Sequence, residues 1–279
     1  RVDTYGWEVK RILPRLNEDI NEEWISDKTR YSCDGLLKQR LDSPYIKKNN
    51  KLVKTSWEEA INLVGEKIKN CDKSKIAGHV GDMASLETIF SFKQLFKNLG
   101  SKNLDIRERE FYLNPKDKMN YIFNSSIKGI EEADLILLIG CNPRLEGTMV
   151  NARIRKAYLK NKTKIISLNN VGDLTYPYES LDGKISNIKD ICEDNHPVSN
   201  LIKSSKKPLI IIGQSLLKSK SAKYVFEKVK AYLHKNGKIS NDWNSFNIIS
   251  ENASTVGSFD LGLYKTKNGE NEVLKDLED

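Results

Sequence analysis

The sequence predicts an α/β protein: a parallel, Rossmann-like sheet wrapped by helices, behind a small irregular β-rich N-terminal segment. Two observations carry this reading. Leu135–Gly140 and Leu209–Gly213 are continuous apolar runs of strand length with no polar alternation, as expected of strands buried on both faces. They alternate with amphipathic helical stretches such as Thr148–Lys160 and Ser221–Lys235, the pattern of strand–helix–strand crossovers.

Residues 1–55 form the first predicted unit. Val9–Leu13 and Tyr45–Val53 read as short strands around a polar stretch containing Pro14, Gly35 and Pro44. Ser56 opens the second unit, an α/β domain over 56–243. Ser56 followed by Glu59 has capping-box spacing, and Trp57, Ala60, Ile61, Val64 and Ile68 recur on one helical face. Lys75–Val80 then reads as a strand and Ala84–Asn98 as a helix closing at Gly100. After the buried strand at Asp134–Gly140 come the helix Thr148–Lys160 and a short buried strand at Lys164–Leu168. Ile185–Cys192 and Val198–Lys203 read as helices parted by Pro197, ahead of the strand Leu209–Gly213 and the helix Ser221–Lys235. Residues 244–279 carry weak signals and are expected to be an extension or tail.

Composition narrows the function. The 279 residues contain no apolar run near the ~20 residues of a spanning helix, so no membrane span is expected. The net charge of +8 would suit a polyanion binder. Yet the 36 Lys and 26 Asn against 10 Arg and 9 Ala match a bias toward A/T-rich codons. No segment interleaves basic and aromatic residues, and no nucleic-acid partner is expected. The cysteines, Cys33, Cys71, Cys141 and Cys192, lie far apart, with no CxxC pair. That spacing shows neither a zinc site nor an iron–sulfur run, and argues for a reducing compartment. His79, His196 and His234 are too scattered to announce a metal site.

The most informative local feature is Gly140-Cys141-Asn142-Pro143-Arg144, where a buried strand leaves the sheet and turns into a helix. Such a turn can cradle a nucleotide phosphate on free N–H groups, or simply connect strand to helix. Both readings stay open on the residues alone. Cys141 is expected to be a small buried apolar side chain rather than a nucleophile. Arg153, Arg155 and Lys156 are read as a solvated face or as partners in salt bridges between subunits. The adjacent pairs Glu22-Glu23, Glu58-Glu59 and Glu131-Glu132 share no helix face, which makes them poor candidates for paired acid–base chemistry, and most are read as solvated charge in first turns or loops.

The opening Glu8-Val9-Lys10-Arg11-Ile12-Leu13-Pro14-Arg15-Leu16-Asn17-Glu18-Asp19-Ile20-Asn21-Glu22-Glu23-Trp24 closely resembles the large iron–sulfur subunit family of mitochondrial respiratory complex I, where its molybdopterin-oxidoreductase-like region begins. Collinear matches follow at Asp34-Gly35-Leu36, Thr55-Ser56-Trp57-Glu58-Glu59-Ala60, Gly129–Asp134, the Gly140–Arg144 turn, Asn151–Lys156, Asp173–Tyr176, His196-Pro197, Lys207-Pro208 and Asp260-Leu261-Gly262. The resemblance implies a molybdopterin-oxidoreductase-type fold and a non-catalytic structural role in the peripheral arm, on the matrix side of the mitochondrial inner membrane. The alternative it leaves is a molybdopterin- or nucleotide-dependent oxidoreductase. It further implies no catalytic or metal residue here, Gly140, Asn142, Pro143 and Arg144 being a relic crevice. Trp24-Ile25-Ser26-Asp27 carries a serine at the position where some bacterial relatives place a last cluster cysteine, and Cys33 lacks partners. The expectation is therefore no cofactor in this chain, with iron–sulfur clusters and FMN in partner polypeptides. Those partners are the other peripheral-arm subunits, above all the cluster-bearing part of the same subunit, of which this chain is expected to be a split or truncated half.

Overall fold

Leu135–Ile139 is buried at every position, and its alternating side chains enter two different apolar clusters. Leu135, Leu137 and Ile139 join one; Ile136 and Leu138 join the other. A strand dry on both faces must lie inside a sheet with helices above and below.

The computed structural model describes residues 1–267 and 270–273. In chain order the elements begin with a hairpin of β1 (Val2–Tyr5) and β2 (Glu8–Ile12), a short α1 (Asp27–Arg30), a hairpin of β3 (Tyr45–Lys48) and β4 (Lys51–Lys54), and α2 (Trp57–Lys69). Next come β5 (Ala77–His79), α3 (Leu86–Leu99) and β6 (Asn103–Asp105), a strand–helix–strand unit whose two strands pair in parallel. The main sheet and its cover follow: β7 (Leu135–Ile139), α4 (Pro143–Glu146), α5 (Thr148–Asn161), β8 (Lys164–Ser167), β9 (Glu179–Ser180), α6 (Ile185–Cys192), α7 (Pro197–Ser204), β10 (Pro208–Ile212), α8 (Gln214–Leu217), α9 (Ala222–Lys235), β11 (Phe246–Ile248) and α10 (Thr255–Asp260). A short hairpin of β12 (Thr266–Lys267) and β13 (Glu270–Asn271) lies near the end of the described residues.

The main sheet has the order β11-β10-β7-β8-β9, with every pair parallel. On one face, α3, α6, α7 and α9 contribute Ile89, Ile188, Ile191, Val198, Ile202, Val225, Phe226 and Val229. On the other, α5 contributes Val150 and Ile154 beside Leu174 and Tyr176. Each such side chain taken fully from water stabilises by roughly 1.5–3 kcal/mol, which makes this sheet the centre of stability. The expected parallel sheet between helical layers is therefore present.

Two segments differ from expectation. Tyr45–Val53, read as one strand, is a hairpin, because Asn49 and Asn50 both take left-handed backbone (φ 49° and 64°) and reverse the chain. The segment from 244 onward, expected as a weak tail, supplies edge strand β11, with Phe246, Asn247 and Ile248 all buried. Three residues are too few for a periodicity to show in sequence, yet pairing with Ile210–Ile212 fixes them.

Residues 1–64 have another character. Among the described residues, seventeen of twenty-four exposed large apolar side chains fall there, including Trp7, Trp24, Leu41 and Trp57, while Ile46 is that stretch's one buried apolar residue. Two-stranded hairpins bury too little to hold themselves together, so this region depends on contacts with what it packs against.

Candidate functional site

In an open parallel sheet, ligands bind beyond the carboxyl ends of the strands, where successive crossovers leave in opposite directions. Here that place lies between β7 and β10: the chain passes from β7 toward β8 on one side and from β10 toward β11 on the other. The predicted turn Gly140–Arg144 sits at it.

Gly140 is left-handed (φ 56°), and a Cβ there would stand 2.6 Å from the Leu216 backbone nitrogen. A Cβ at Gly213 would stand 2.4 Å from the Gly140 carbonyl oxygen. The two strand ends are therefore in direct backbone contact, closed further by the Ser215 hydroxyl donating to the Gly140 carbonyl at 2.8 Å. Asn142 caps α4: its side-chain oxygen accepts from the Arg144 and Leu145 amides at 3.2 and 3.4 Å, and its Nδ2 donates to the Val171 carbonyl. Pro143 fills the first helical position, where its missing N–H costs nothing. Arg144 points outward and donates to the Asp173 carbonyl and carboxylate at 2.7 and 2.8 Å.

Sequence reasoning missed the group that decides the chemistry. The Glu146 carboxylate accepts from the Asn142 amide at 2.7 Å through one oxygen and from the Gln214 amide at 3.2 Å through the other. These are the N–H groups that open α4 and α8, the donors a phosphate would use. The chain's own anion has taken them. Burial pushes the Glu146 carboxyl above its ordinary value, the two amide bonds opposing that rise. The clue in the sequence was a carboxylate four residues after a cap residue, so that cap and carboxylate serve each other. Gly213 at the second strand end was equally readable.

Beside this closure lies a cavity of about 210 Å³ lined by Asp82, Arg107, Arg109, Gln214, Lys218 and Glu251 among others. Ligand pockets usually measure ~300–1,000 Å³. With β7 and β10 in contact and Glu146 on the amides, the residues present do not fit a pterin dinucleotide at this point.

Cys141 is buried, as expected, and burial followed by the nearby Glu146 charge pushes its thiol well above the ordinary range. His196 accepts from the Val198 amide as the cap of α7. Among the described residues, no group of three or more His, Cys, Asp or Glu is placed to hold a metal ion.

Arg153 overturns the expectation of a solvated face. It is buried and donates to the Glu18 carbonyl at 2.6 Å, to the Ile20 carbonyl at 3.2 Å and to the Glu131 carboxylate. Lys156 pairs with Glu22 and Glu131, and Lys128 with Asp19. Glu22 and Glu131, read as solvated charge, are thus the acids of a clasp that fastens residues 18–22 to the α/β body. Burial alone would raise the Glu131 carboxyl, but hydrogen bonds from Arg153 and Lys156 outweigh it and hold the group below its ordinary value.

A three-layer parallel α/β fold with a glycine turn at the strand switch defines the class, and a family model supports it. Residues 40–278 match the molybdopterin oxidoreductase model, and the chain belongs to that family. Within it, the chain is similar to the large subunit of complex I. It is 41% identical to the NADH-ubiquinone oxidoreductase 75 kDa subunit of Reclinomonas americana, over 96% of this chain and 41% of that protein. It is 38% identical to the mitochondrial NADH dehydrogenase [ubiquinone] iron-sulfur protein 1 of Solanum tuberosum, over 94% of this chain and 36% of that protein. It is also 38% identical to the mitochondrial NADH-ubiquinone oxidoreductase 78 kDa subunit of Candida albicans, over 94% and 37%. The chain spans about two fifths of the length of these relatives. No helix among the described residues is long and apolar enough to cross a membrane.

One expectation is corrected by these matches. Residues 1–34 match the NADH-ubiquinone oxidoreductase NDSU1/NuoG-like 4Fe-4S domain, which points to iron–sulfur cluster binding in this chain rather than to its absence. The expectation failed because it rested on a cysteine run within these residues, whereas the match rests on the whole segment. Cys33 is the only thiol in residues 1–34, and a [4Fe–4S] cluster is usually held by four thiolates. The segment alone therefore lacks a full ligand set. Ser26, at the position expected for a cluster cysteine, instead caps α1, accepting from the Thr29 amide.

Proposed function

We propose that this chain is a non-catalytic structural part of the peripheral arm of respiratory complex I, on the matrix side of the mitochondrial inner membrane. The observation that carries the reading is the Glu146 carboxylate seated on the Asn142 and Gln214 amides. A dinucleotide phosphate held at this turn would use those donors; in this chain they hold α4 against α8. Gly140, Asn142, Pro143 and Arg144 then serve packing, a relic of a dinucleotide crevice.

The similarity to complex I subunits supports the assembly, and the apolar surface of residues 1–64 supports the manner of docking. That surface meets other subunits, foremost the cluster-bearing part of the same subunit. The match of residues 1–34 supports cluster binding at this segment, with the ligands it lacks supplied from outside it. NADH oxidation on FMN takes place in partner polypeptides. The test is mass spectrometry of native-gel bands: the chain is expected in the band with NADH-dehydrogenase activity, and its absence there overturns the reading.

A further inference from the structure

Trp57, Ile61, Val64 and Ile68 are spaced four, three and four residues apart, the interval of a coiled-coil seam. On a helix of 3.6 residues per turn they fall within about 60° of one another. Their helix, α2, has no buried residue, whereas α3, α5 and α9, of similar length, each bury two or more. The seam stands open, with Trp57 66%, Ile61 64% and Val64 55% exposed. The β3–β4 hairpin does not cover it. That hairpin engages the opposite side of α2, where Glu59 takes Lys48 and the Thr55 hydroxyl.

Charge states what kind of surface this seam accepts. Within 45–76, Lys47, Lys51, Lys67, Lys69, Lys73 and Lys75 have no carboxylate partner among the described residues, against three carboxylates without a cation partner, Glu58, Glu66 and Asp72. Lys67 borders the seam on one side; on the other, around Gly65, lie Glu58 at the N-terminal end of the helix and Lys69 at its C-terminal end, so the basic rim is that of the last two turns. An apolar stripe in such a basic field repels a basic partner and steers an acidic one.

We propose that the α2 seam docks a partner helix whose own apolar stripe is bordered by Asp and Glu. Seam against seam buries the four side chains, and the partner's carboxylates meet Lys67 and Lys69 at the rim. This deepens the structural reading above by giving the chemistry of one docking partner.

The test uses the purified full chain and two labelled probe peptides of about three heptads, both with Leu at the seam, one flanked by Glu and one by Lys. Like charges keep each peptide from pairing with itself. The Glu-flanked peptide is expected to bind at least about tenfold more tightly than its Lys-flanked twin, and to weaken as salt rises. Val64→Glu abolishes this binding, while Lys67→Glu with Lys69→Glu reverses the preference. Because these side chains are exposed, unchanged circular dichroism shows that each variant folds. Failure of both peptides to bind, or equal binding of the two, overturns the proposal. So does a doubled solution mass that Val64→Glu returns to monomer, which assigns the seam to a second copy. Seam-dependent adsorption to phosphatidylcholine vesicles with about 30% phosphatidylglycerol also overturns it, in favour of a lipid surface. The assay needs no complex, so its failure is separate from absence of the chain from the NADH-dehydrogenase band.

Discussion

Replacing Arg153 with alanine should loosen the N-terminal segment from the body while leaving the main sheet intact. The guanidinium donates to the Glu18 and Ile20 carbonyls and to the Glu131 carboxylate. Its removal leaves two carbonyls short of a donor and a largely buried carboxylate with Lys156 as its remaining cation. Breaking one side of a buried pair costs about 3–5 kcal/mol. Lys156 retains part of the pairing, which brings the expected loss to about 2–4 kcal/mol. At 1.4 kcal/mol per factor of ten, that lowers the folding constant by about 30-fold or more. Arg153→Lys keeps a charge near Glu131 but cannot fork to both carbonyls, and should recover about half of the loss. Urea titration of the purified chain gives the energy, and amide exchange gives the place. Amides of residues 17–24 should lose protection in Arg153→Ala while those of β7 and β10 lose far less. A change below about 0.5 kcal/mol, or exchange in 17–24 like that of the parent, would refute the clasp.

Other outcomes follow from the same contacts. Gly213→Ala forces a Cβ against the Gly140 carbonyl at 2.4 Å, which backbone on both sides cannot yield, and should cost about 3 kcal/mol or more by thermal unfolding; a neutral result would show the strand ends apart. Glu131 and Glu146 should bend the pH–stability curve in opposite senses. The native Glu131 carboxyl lies below its ordinary value, so its contribution is present above the ordinary carboxylate range and lost as pH falls through the lowered value; Glu131→Gln should flatten the acid limb. Glu146 lies above its ordinary value, so stability declines as pH rises from the ordinary range to the raised one, and Glu146→Gln should remove that decline; urea midpoints across pH check both. Among the thiols, exposed Cys71 should be alkylated first and buried Cys141 last, with Cys192, raised to about 11 chiefly by burial, slow at neutral pH; peptide mass spectrometry reads the order, and early labelling of Cys141 would contradict the packing.

What could be read in the sequence was local. The runs at 135–139 and 209–212 announce strands dry on both faces because each residue's neighbours along the chain already show the pattern. Ser56 announces the start of α2 because its cap bond to the Glu59 amide spans three residues. Asn142, Pro143 and Arg144 were legible as a turn for the same reason. The chemistry of that turn was not. Gln214 reaches Glu146 across 68 residues, and Arg153 reaches Ile20 across 133, distances over which no periodicity in the chain reports a contact. The three-residue β11 is fixed by its neighbour β10 and by the Asn124 side chain donating to the Phe246 carbonyl. Partners of that kind, supplied by the fold, decide whether a carboxylate is solvated or structural.

The central claim is that the crevice at the ends of β7 and β10 is filled by the chain's own carboxylate and carries no pterin dinucleotide. Oxidative pterin analysis with molybdenum and tungsten determination on the purified chain tests it most directly. Each should fall below about one twentieth of an equivalent per chain, and Glu146→Gln should leave that unchanged because Gly140 and Gly213 still close the space. One equivalent of pterin, with molybdenum or tungsten beside it, would contradict the account.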